Sequence, residues 1–310
     1  MLQTFALKIL EGFVNEARNH GCIALGFSRP IRPIYWKQFE SWLADSSHGQ
    51  MSWLTRNKEV RKEPRHLLHG CKTIISLAFP YSQEKPVTTD GFEVARYSQP
   101  DQSDYHEALK QQCLGLVGFL NQFFQGMKSR ICIDSAPLLE RSIAFTSGMG
   151  FFGKNNMLII PDYGSYFFLA EILIDTEMPI PSFETLESAC GSCTRCMEAC
   201  PTGALERPFY LNASRCLSYL TVEYRDALPR DTGRKMGRCF FGCDRCQEVC
   251  PFNDSRSQLR KTLLPSVKAI LAMDKAEFDD KFRRTAFRRA GLEKLKTNIL
   301  AMLKESRGSA

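Results

Sequence analysis

The feature that most constrains this chain of 310 residues is a run of cysteines, CGSCTRCMEACP, at residues 190–201. It fits the pattern C-x2-C-x2-C-x3-C-P without a mismatch, in which three closely spaced thiolates hold one four-iron cluster and the fourth ligates a second cluster. The two-residue gaps let a tight loop wrap three corners of a cube, and the longer gap lets the chain turn away. Zinc is the alternative, but zinc sites usually join two C-x2-C pairs through a longer spacer. The run therefore predicts iron-sulfur clusters.

A second run, GRCFFGCDRCQEVCP at residues 237–251, supplies further ligands. Its cysteines in the spacing C-x2-C-x3-C-P are Cys243, Cys246 and Cys250. A complete run would need a cysteine at position 240, which is Phe240, and Cys239 misses the register by one residue. In a loop around a cube, that offset moves the side chain too far and onto the wrong side of the backbone. Cys216, between the two runs, is therefore the predicted fourth ligand, and Cys239 is the predicted bystander.

These spacings predict two 4Fe-4S clusters whose ligands are crossed between the runs. The first cluster is assigned Cys190, Cys193, Cys196 and Cys250, and the second Cys200, Cys216, Cys243 and Cys246. Interleaved segments hold the two clusters close together, which suits the relay of single electrons. A purely structural pair of clusters is the alternative interpretation.

Composition narrows the class of protein. The chain is 44% hydrophobic, enough for a large core, and contains no run of about 20 apolar residues that could span a membrane. Its first residues have the spacing of an amphipathic helix interrupted by charges, which is not a secretory signal. Thirteen cysteines without such a signal indicate a reducing compartment. We therefore expect a cytoplasmic protein without membrane contact.

The first half of the chain alternates between helix and strand patterns. We expect helices near 4–20, from Asp104 to Gly126 and from Ala136 to Ser147, and strands at 22–28, 73–81 and 129–134. MLIIP and YFFLAEILI flank a four-residue DYGS turn, which predicts a β-hairpin.

Three segments follow from these patterns. Residues 1–180 are predicted to form an α/β domain, which the proline-containing linker PIPSFE follows. A ferredoxin-like two-cluster domain is predicted over 181–255, and a basic helical tail over 256–310.

The positive charge is concentrated in the tail. Residues 256–310 contain 14 Lys and Arg against 6 Asp and Glu, a net charge of +8, whereas the preceding 255 residues carry −1. Such clusters are usually solvated helix faces, yet a cationic tail also favours a phosphate backbone through weak, salt-dependent contacts. The candidate contacts are Arg283, Arg284, Arg288, Arg289, Lys294 and Lys296.

Other stretches carry weaker signals. GMGFFGKN at 148–155 nearly spells a phosphate-binding loop, but Asn155 replaces the magnesium-binding Ser or Thr and the loop runs from a helix into a strand. Asp134 ends an apolar strand before SAPLLER opens a helix, so it is either a helix cap or a carboxylate that meets a ligand. The five histidines have no metal-ligand spacing, and the chain lacks D-x-H-x-x-G, the motif in which a histidine replaces the base of cobalamin.

Four stretches follow one another in a characteristic order: IDSAPLLERSIAFTSGMGFFGKNNMLIIPDYGSYFFLAEIL, CGSCTRCMEACPTGAL, RCLSYLT and FFGCDRCQEVCPFN. With MSWLTRNKEVRKEPRHLL before them and RRAGLEKLKTNIL after them, the chain resembles the epoxyqueuosine reductase family over nearly its whole length. Members of this family are cobalamin-dependent iron-sulfur enzymes that complete queuosine at the wobble position of tRNA. The resemblance is to a short form without the helical repeats that many members carry after the basic segment.

The resemblance implies cobalamin with its lower base detached, which agrees with the missing histidine motif. It also implies that electrons pass through both clusters to cobalt, and that a carboxylic acid gives a proton as the epoxide oxygen leaves as water. Asp134 occupies the position of that acid, and a buried carboxyl beside an apolar corrin is expected to be neutral. The other implied cobalamin contacts are Arg61, Leu158, Leu169, Ser218, Asp244 and Arg245.

The resemblance further implies a monomer that takes electrons from an external donor and acts on tRNA carrying epoxyqueuosine, which the basic tail would contact. Two alternatives stay open from the sequence. One is a dehalogenase-like cobalamin and iron-sulfur reductase, and the other is a non-enzymatic electron carrier.

Overall fold

The computed structural model describes residues 2–99, 104–180, 185–253 and 262–306. The helices are α1 (Leu2–Asn19), α2 (Trp36–Ala44), α3 (Trp53–Arg56), α4 (Lys58–Lys62), α5 (Tyr105–Asn121), α6 (Glu140–Thr146), α7 (Arg195–Glu198), α8 (Leu217–Val222), α9 (Thr232–Met236), α10 (Arg245–Glu248), α11 (Val267–Ala272), α12 (Lys275–Phe282), α13 (Phe287–Ala290) and α14 (Leu292–Ser306). The strands are β1 (Ala24–Ser28), β2 (Thr73–Pro80), β3 (Val87–Thr88), β4 (Glu93–Val94), β5 (Ser129–Cys132), β6 (Phe151–Phe152), β7 (Leu158–Ile159), β8 (Phe167–Ile174), β9 (Leu205–Arg207), β10 (Tyr210–Leu211), β11 (Cys239–Phe241) and β12 (Leu263–Leu264).

The main sheet has four antiparallel strands in the order β1-β2-β8-β5. Its central strands are almost continuously apolar because helices cover both faces. On one face Ile75 packs with Phe13 of α1 and Leu116 of α5. On the other face Ala78 packs with Phe145 of α6. The predicted mixed α/β architecture is thus confirmed, with an antiparallel sheet.

The predicted hairpin of MLIIP and YFFLAEILI is wrong. β7 pairs with β6, whereas β8 pairs with β2 and β5. The DYGS turn closes on one bridge between Ile160 and Gly164. The reason is burial, because a place between two strands and under helices covers both faces of the apolar β8.

Two predicted helices have different ends. α5 stops at Asn121, and Gly126, with a φ of +75°, lies in the turn that leads to β5. α6 begins at Glu140 rather than Ala136, because residues 134–139 form a loop. That loop opens with Asp134 at a φ of +49°, a left-handed conformation that does not start a helix.

A second sheet joins the three predicted segments. Its order is β11-β4-β3-β12, so strands from before residue 100, from the second cysteine run and from the tail lie side by side. One core cluster that includes Val94, Phe241 and Leu295 spans the same segments. The division at residues 181 and 256 stays a prediction, and the segments on either side share this core.

Part of the predicted linker, residues 181–184, and the first residues of the tail lie outside the described residues. Among the helices that the structure describes, none has both the length and the apolar character needed to cross a membrane.

Candidate active site

The cysteines predicted to hold the first cluster lie close together. Burial raises the pKa of Cys250, and the charges of Cys190 and Cys193 raise it further. Burial also raises the pKa of Cys196, on which the charges of Cys190 and Cys250 act as well. Such interactions weaken with distance. Thiols from two separate runs of the sequence therefore lie within electrostatic reach of one another, although no three of the described side chains are already arranged around one metal ion.

The second set is grouped in the same way. Burial holds the pKa of Cys246 far above its ordinary value, and the charges of Cys216, Cys243 and Cys200 raise it further. Cys196 of the first set also acts on Cys246, so the two sets adjoin each other. This grouping supports the crossed ligand assignment, which stays a prediction.

Cys239 has other partners. It lies near Cys243, but its Sγ donates to the carbonyl oxygens of Phe241 and Gly242 over 3.5 and 3.6 Å. A thiol engaged by backbone carbonyls agrees with its predicted role as a bystander.

Asp134 follows β5 and contacts two side chains from the start of α5. The Tyr105 hydroxyl donates to Asp134 Oδ2 over 2.8 Å, and His106 Nε2 lies 3.3 Å from the same oxygen. His106 Nδ1 lies 2.6 Å from Oδ1 of Asp104, the N-cap residue of α5. The cap interpretation of Asp134 is wrong, because the N-cap of α6 is Leu139 and no side chain caps it. The three residues instead form a line, Asp104-His106-Asp134.

Asp134 is ionised in this arrangement. Its side chain is 62% exposed, and it meets the cleft through Tyr105. Burial raises the pKa of Asp134, but hydrogen bonds with His106 and Tyr105 outweigh it and lower the pKa below its ordinary value. The neutral acid was expected beside a corrin and stays a prediction; in the arrangement described, His106 and Tyr105 favour the ionised form.

His106 carries the opposite charge. Burial lowers its pKa, but the hydrogen bonds and charges of Asp104 and Asp134 outweigh burial and raise the pKa to about 9. The imidazole is therefore protonated near pH 7 and shares its proton along the line of the two aspartates.

Two further carboxyl groups lie in this region: Glu140 contacts Asp134, and Glu171 interacts with Glu140. The backbone N–H of Asp134 donates to Glu140 Oε1 over 2.6 Å. Burial and the charge of Asp134 raise the pKa of Glu140 to about 8, and burial holds the pKa of Glu171 on β8 far above its ordinary value. Both groups are mainly neutral near pH 7, so Asp134 carries the negative charge of these three.

Sequence reasoning missed Tyr105, His106 and Glu140. None of them stands in a ligand-like spacing. The available signal was DYHE at residues 104–107, a capped helix start that carries adjacent titratable side chains.

A cleft of about 950 Å³ lies where the three predicted segments meet. Tyr105 lines it and connects it to Asp134. The other aromatic side chains in its wall include Tyr81, Tyr97, Phe168 and Phe252, and Thr285 contributes from the tail. The lining mixes these aromatic side chains with polar ones such as Gln99 and Asp104, and the volume is that of a site for an organic ligand.

The two predicted leucine contacts are placed differently. Leu158 is 1% exposed in a core cluster with Phe145 and Phe167, so any contact of this residue with cobalamin would involve its backbone, and the contact stays a prediction. Leu169 is half-buried and follows Phe168, which lines the cleft.

The polar residues that were predicted to contact cobalamin differ in their burial and hydrogen bonding. Arg61 is buried, and its Nε and Nη1 have no partner among the described residues. The Asp244 carboxylate is engaged by Arg96, which donates to it from the backbone nitrogen over 2.8 Å and from Nη1 over 3.2 Å. Arg245 Nη2 donates to the Met236 carbonyl, and Ser218 is half-buried on α8.

Four of the six basic candidates lie on the surface near the cleft. Arg283, Arg284, Arg288 and Arg289 are exposed. The charge of Arg288 contributes to lowering the pKa of Asp104, and that of Arg289 contributes to lowering the pKa of Asp134. The arginine segment therefore borders the site.

The two lysine candidates differ: Lys294 is buried, so the expectation that it contacts RNA is corrected, whereas Lys296 is half-buried and its contact with RNA stays a prediction. Lys294 is 8% exposed, and its Nζ lies 5.5 Å from the ring centre of Tyr224. Lys296 Nζ donates to the Met273 carbonyl over 2.7 Å. α14 packs in the shared core, which buries Lys294.

Comparisons with known protein families agree with the grouped cysteines and with the site around Asp134. Residues 189–253 match a family model described as "4Fe-4S double cluster binding domain". Residues 61–135 match one described as "Epoxyqueuosine reductase QueG, DUF1730". Paired iron-sulfur clusters next to a cleft with an ionised carboxylate define an iron-sulfur oxidoreductase.

Comparisons with individual relatives identify the family within this class of iron-sulfur oxidoreductases. The chain is 35% identical over 269 residues to epoxyqueuosine reductase of Cyclobacterium marinum, covering 84% of this chain and 86% of the relative. It is 34% identical to that of Escherichia coli strain K12, covering 86% and 73%. A crystal structure of epoxyqueuosine reductase with a tRNA-Tyr epoxyqueuosine-modified stem loop matches with a TM-score of 0.82 at 29% identity, covering 96% of this chain and 81% of that one. The chain belongs to the epoxyqueuosine reductase family.

Proposed function

We propose that this protein reduces epoxyqueuosine to queuosine in tRNA. The reaction takes two electrons and two protons, breaks both C–O bonds of the epoxide, forms the alkene and releases the oxygen as water. The observation that carries the proposal is the Asp134 carboxylate, held by His106 and Tyr105 next to a cleft that adjoins the cysteine runs. The family of the chain supplies the substrate.

Cobalamin with its base detached is the cofactor that the family implies, and the described residues fit it. The cleft, with aromatic side chains in its lining, has room for a large ring, although none of the contacts named below belongs to that lining. Arg61, outside the cleft, offers two buried N–H donors without a hydrogen-bond partner among the described residues. When bound, cobalamin supplies a low-valent cobalt that engages the epoxide. The residues that we expect to hold it are Arg61, Asp134, Leu158, Leu169, Ser218, Asp244 and Arg245.

Asp134 is the proposed proton donor. A cofactor and base that cover its exposed carboxylate would remove water and raise its pKa. The proton shared with His106 then moves across their 3.3 Å contact to Asp134, and from there to the epoxide oxygen. Tyr105 keeps the carboxylate oriented through its hydrogen bond.

The cysteine runs would hold two 4Fe-4S clusters, which would supply single-electron transfer from an external donor. The adjoining cysteine sets support this relay, because Cys196 and Cys246 of different sets act on each other. The basic arginines at the border of the cleft support contact with the tRNA backbone. The proposal also includes the oligomeric state and the location, which are a monomer in the cytoplasm. The proposed segments are the α/β domain at 1–180, the two-cluster domain at 181–255 and the basic helical tail at 256–310.

Reconstitution under anaerobic conditions tests this function. We expect the protein to bind one cobalamin and about eight irons, and to convert epoxyqueuosine in a tRNA stem loop to queuosine. Asp134→Asn is expected to keep both cofactors and lower kcat by about 100-fold. The matched control Asp280→Asn, on the exposed side of α12, is expected to keep full activity.

Three outcomes would contradict the proposal in different ways. Zinc in place of iron would remove the electron relay, and no affinity for cobalamin would remove the cofactor. Full activity of Asp134→Asn would return Asp134 to a structural role. A dehalogenase-like reductase, or an electron carrier without substrate, is disfavoured because 34–35% identity to epoxyqueuosine reductases extends over 84–86% of the chain.

A further inference from the structure

The tip of the β6-β7 hairpin, residues 153–157, has no part in the function described above. It is a tight turn in which Gly153 N donates to the Met157 carbonyl and Asn156 N donates to the Gly153 carbonyl, both over 2.9 Å. This is the GKN stretch that resembles a phosphate-binding loop in sequence. In the structure the turn connects two strands, and its polar side chains contact the cysteine runs.

Lys154 binds the backbone of the first cysteine run. Its Nζ donates to the Gly191 carbonyl over 2.6 Å and to the Cys193 carbonyl over 2.9 Å. Both carbonyls belong to the loop between Cys190 and Cys196 that would wrap the first cluster. An ammonium group is therefore fixed against this loop.

Asn155 binds the backbone of the second run. It is 5% exposed, its Nδ2 donates to the Cys246 carbonyl over 3.2 Å, and its Oδ1 accepts from Met157 N over 3.1 Å. A Cβ on Gly153 would lie 2.7 Å from Asn155 Oδ1, so glycine leaves room for this side chain. Neighbouring residues of one turn thus hold both runs.

We propose that this turn is a brace that fixes the spacing of the two clusters, and that the charge of Lys154 raises the reduction potential of the first cluster. The inference deepens the proposed function and rests on its assignment of two clusters. A reduced cluster carries one more negative charge than an oxidised one, so a nearby cation stabilises the reduced form. Net charge and hydrogen bonding around the sulfurs are the main determinants of cluster potentials.

A redox titration of the reconstituted protein, monitored by electron paramagnetic resonance, tests whether the charge of Lys154 raises the reduction potential of the first cluster. We expect Lys154→Met to keep about eight irons. Its ratio of reduced to oxidised first cluster is expected to fall about tenfold at a fixed solution potential, which is about 59 mV for one electron. Lys154→Arg is expected to stay near wild type, and Lys110→Met on the exposed face of α5 is the matched control.

The magnetic coupling between the two reduced clusters depends on their spacing, so it tests separately whether the turn fixes that spacing. Asn155→Ala is expected to change this coupling, because the second run loses its bond to the turn. Unchanged potential in Lys154→Met, or unchanged coupling in Asn155→Ala, would overturn the corresponding half of the proposal. If Lys154→Met fails to bind iron, equal potentials in Lys154→Arg and Lys154→Gln would overturn the charge effect. The wild-type iron content and spectrum test the clusters separately, without the tRNA substrate.

Discussion

Asp134 shows how neighbouring side chains determine the chemistry of one carboxylate. It is ionised because Tyr105 and His106 bind it, although burial favours the neutral form. His106 is protonated because it lies between Asp104 and Asp134. An exchangeable proton is therefore held next to the proposed donor before the substrate arrives.

The pKa of His106, raised from 6.5 to about 9, predicts a pH-dependent contribution to stability. A raised pKa stabilises the fold fully below the unfolded value, and this contribution is lost as the pH rises through about 9. The side chain is 36% exposed, so solvent screening reduces the contribution to about 1 kcal/mol. We expect the difference in unfolding free energy between wild type and His106→Gln to shrink by that amount from pH 6 to pH 10.

Nuclear magnetic resonance of the imidazole provides the direct check on His106. Its titration midpoint is expected near pH 9, and Asp104→Asn is expected to lower it because one of the two partners loses its charge. A midpoint near the ordinary value in the wild type would contradict this account.

The ligand cysteines and the partners of Asp134 differ in how far the sequence predicts them. The cube requires short gaps along the chain, so the spacing in each run is visible in the sequence, and Cys216 follows from the missing register at Phe240. Tyr105 and His106 meet Asp134 only after α5 packs beside β5, so no local pattern reveals the ionised carboxylate.

At the scale of elements, the strand β8 explains why one part of the fold was mispredicted. Its apolar run and the DYGS turn are both local signals, and they favour a hairpin with the preceding strand. Pairing depends instead on which position buries β8 on both faces, and that position is between β2 and β5. Helices and strands were therefore predictable as segments, while their pairing depended on the core.

The cysteine runs give a test of the ligand set. Cys216→Ser is expected to lower the iron content from about eight to about four, because the second cluster loses a corner. Cys239→Ser is expected to leave it unchanged, since the Cys239 thiol is engaged by backbone carbonyls. Iron analysis of both variants makes the comparison, and the opposite pair of results would show that the wrong eight cysteines were chosen.

The turn before β8 also contacts the end of the second run. Gly164 has a φ of +99°, and a Cβ there would lie 2.2 Å from Asn253 Oδ1 and 2.6 Å from the Phe252 carbonyl oxygen. We expect Gly164→Ala to lower the free energy of unfolding by about 2 kcal/mol or more, because strain and a backbone clash add. Urea denaturation measures this loss.

Gly118→Ala is the matched control for that substitution. Gly118 lies in α5 on an exposed face, and apart from its own helix backbone no atom of the described residues lies within 4 Å of the added Cβ. The change is expected to be neutral or to stabilise the protein by about 0.5–1 kcal/mol, because alanine favours a helix. Equal effects of the two substitutions would contradict the close contact at Gly164.

At the scale of the whole molecule, the cleft lies where the sheet domain, the second cysteine run and the tail meet. The shared core and the second sheet hold these segments together. The described part of the basic tail contributes exposed arginines, of which Arg289 acts on Asp134. Charge counting predicted the basic surface but not which residues face outward, because α14 packs Lys294 into the core.

This arrangement predicts a salt-dependent contact with tRNA. Replacing Arg283, Arg284 and Arg288 together by alanine is expected to weaken binding of a tRNA stem loop on the order of tenfold, and to reduce the slope of log K against log salt by about 2 to 3. Lys294→Met is the control, since that side chain is buried. Fluorescence anisotropy at several salt concentrations measures both quantities, and an unchanged slope would contradict a phosphate contact.

Nucleoside analysis of tRNA from cells that lack this gene tests the central claim most directly. We expect epoxyqueuosine to accumulate and queuosine to disappear, with restoration by the wild-type chain and none by Asp134→Asn. Normal queuosine in the deletion strain, in a genome without a second reductase, would contradict the proposed function.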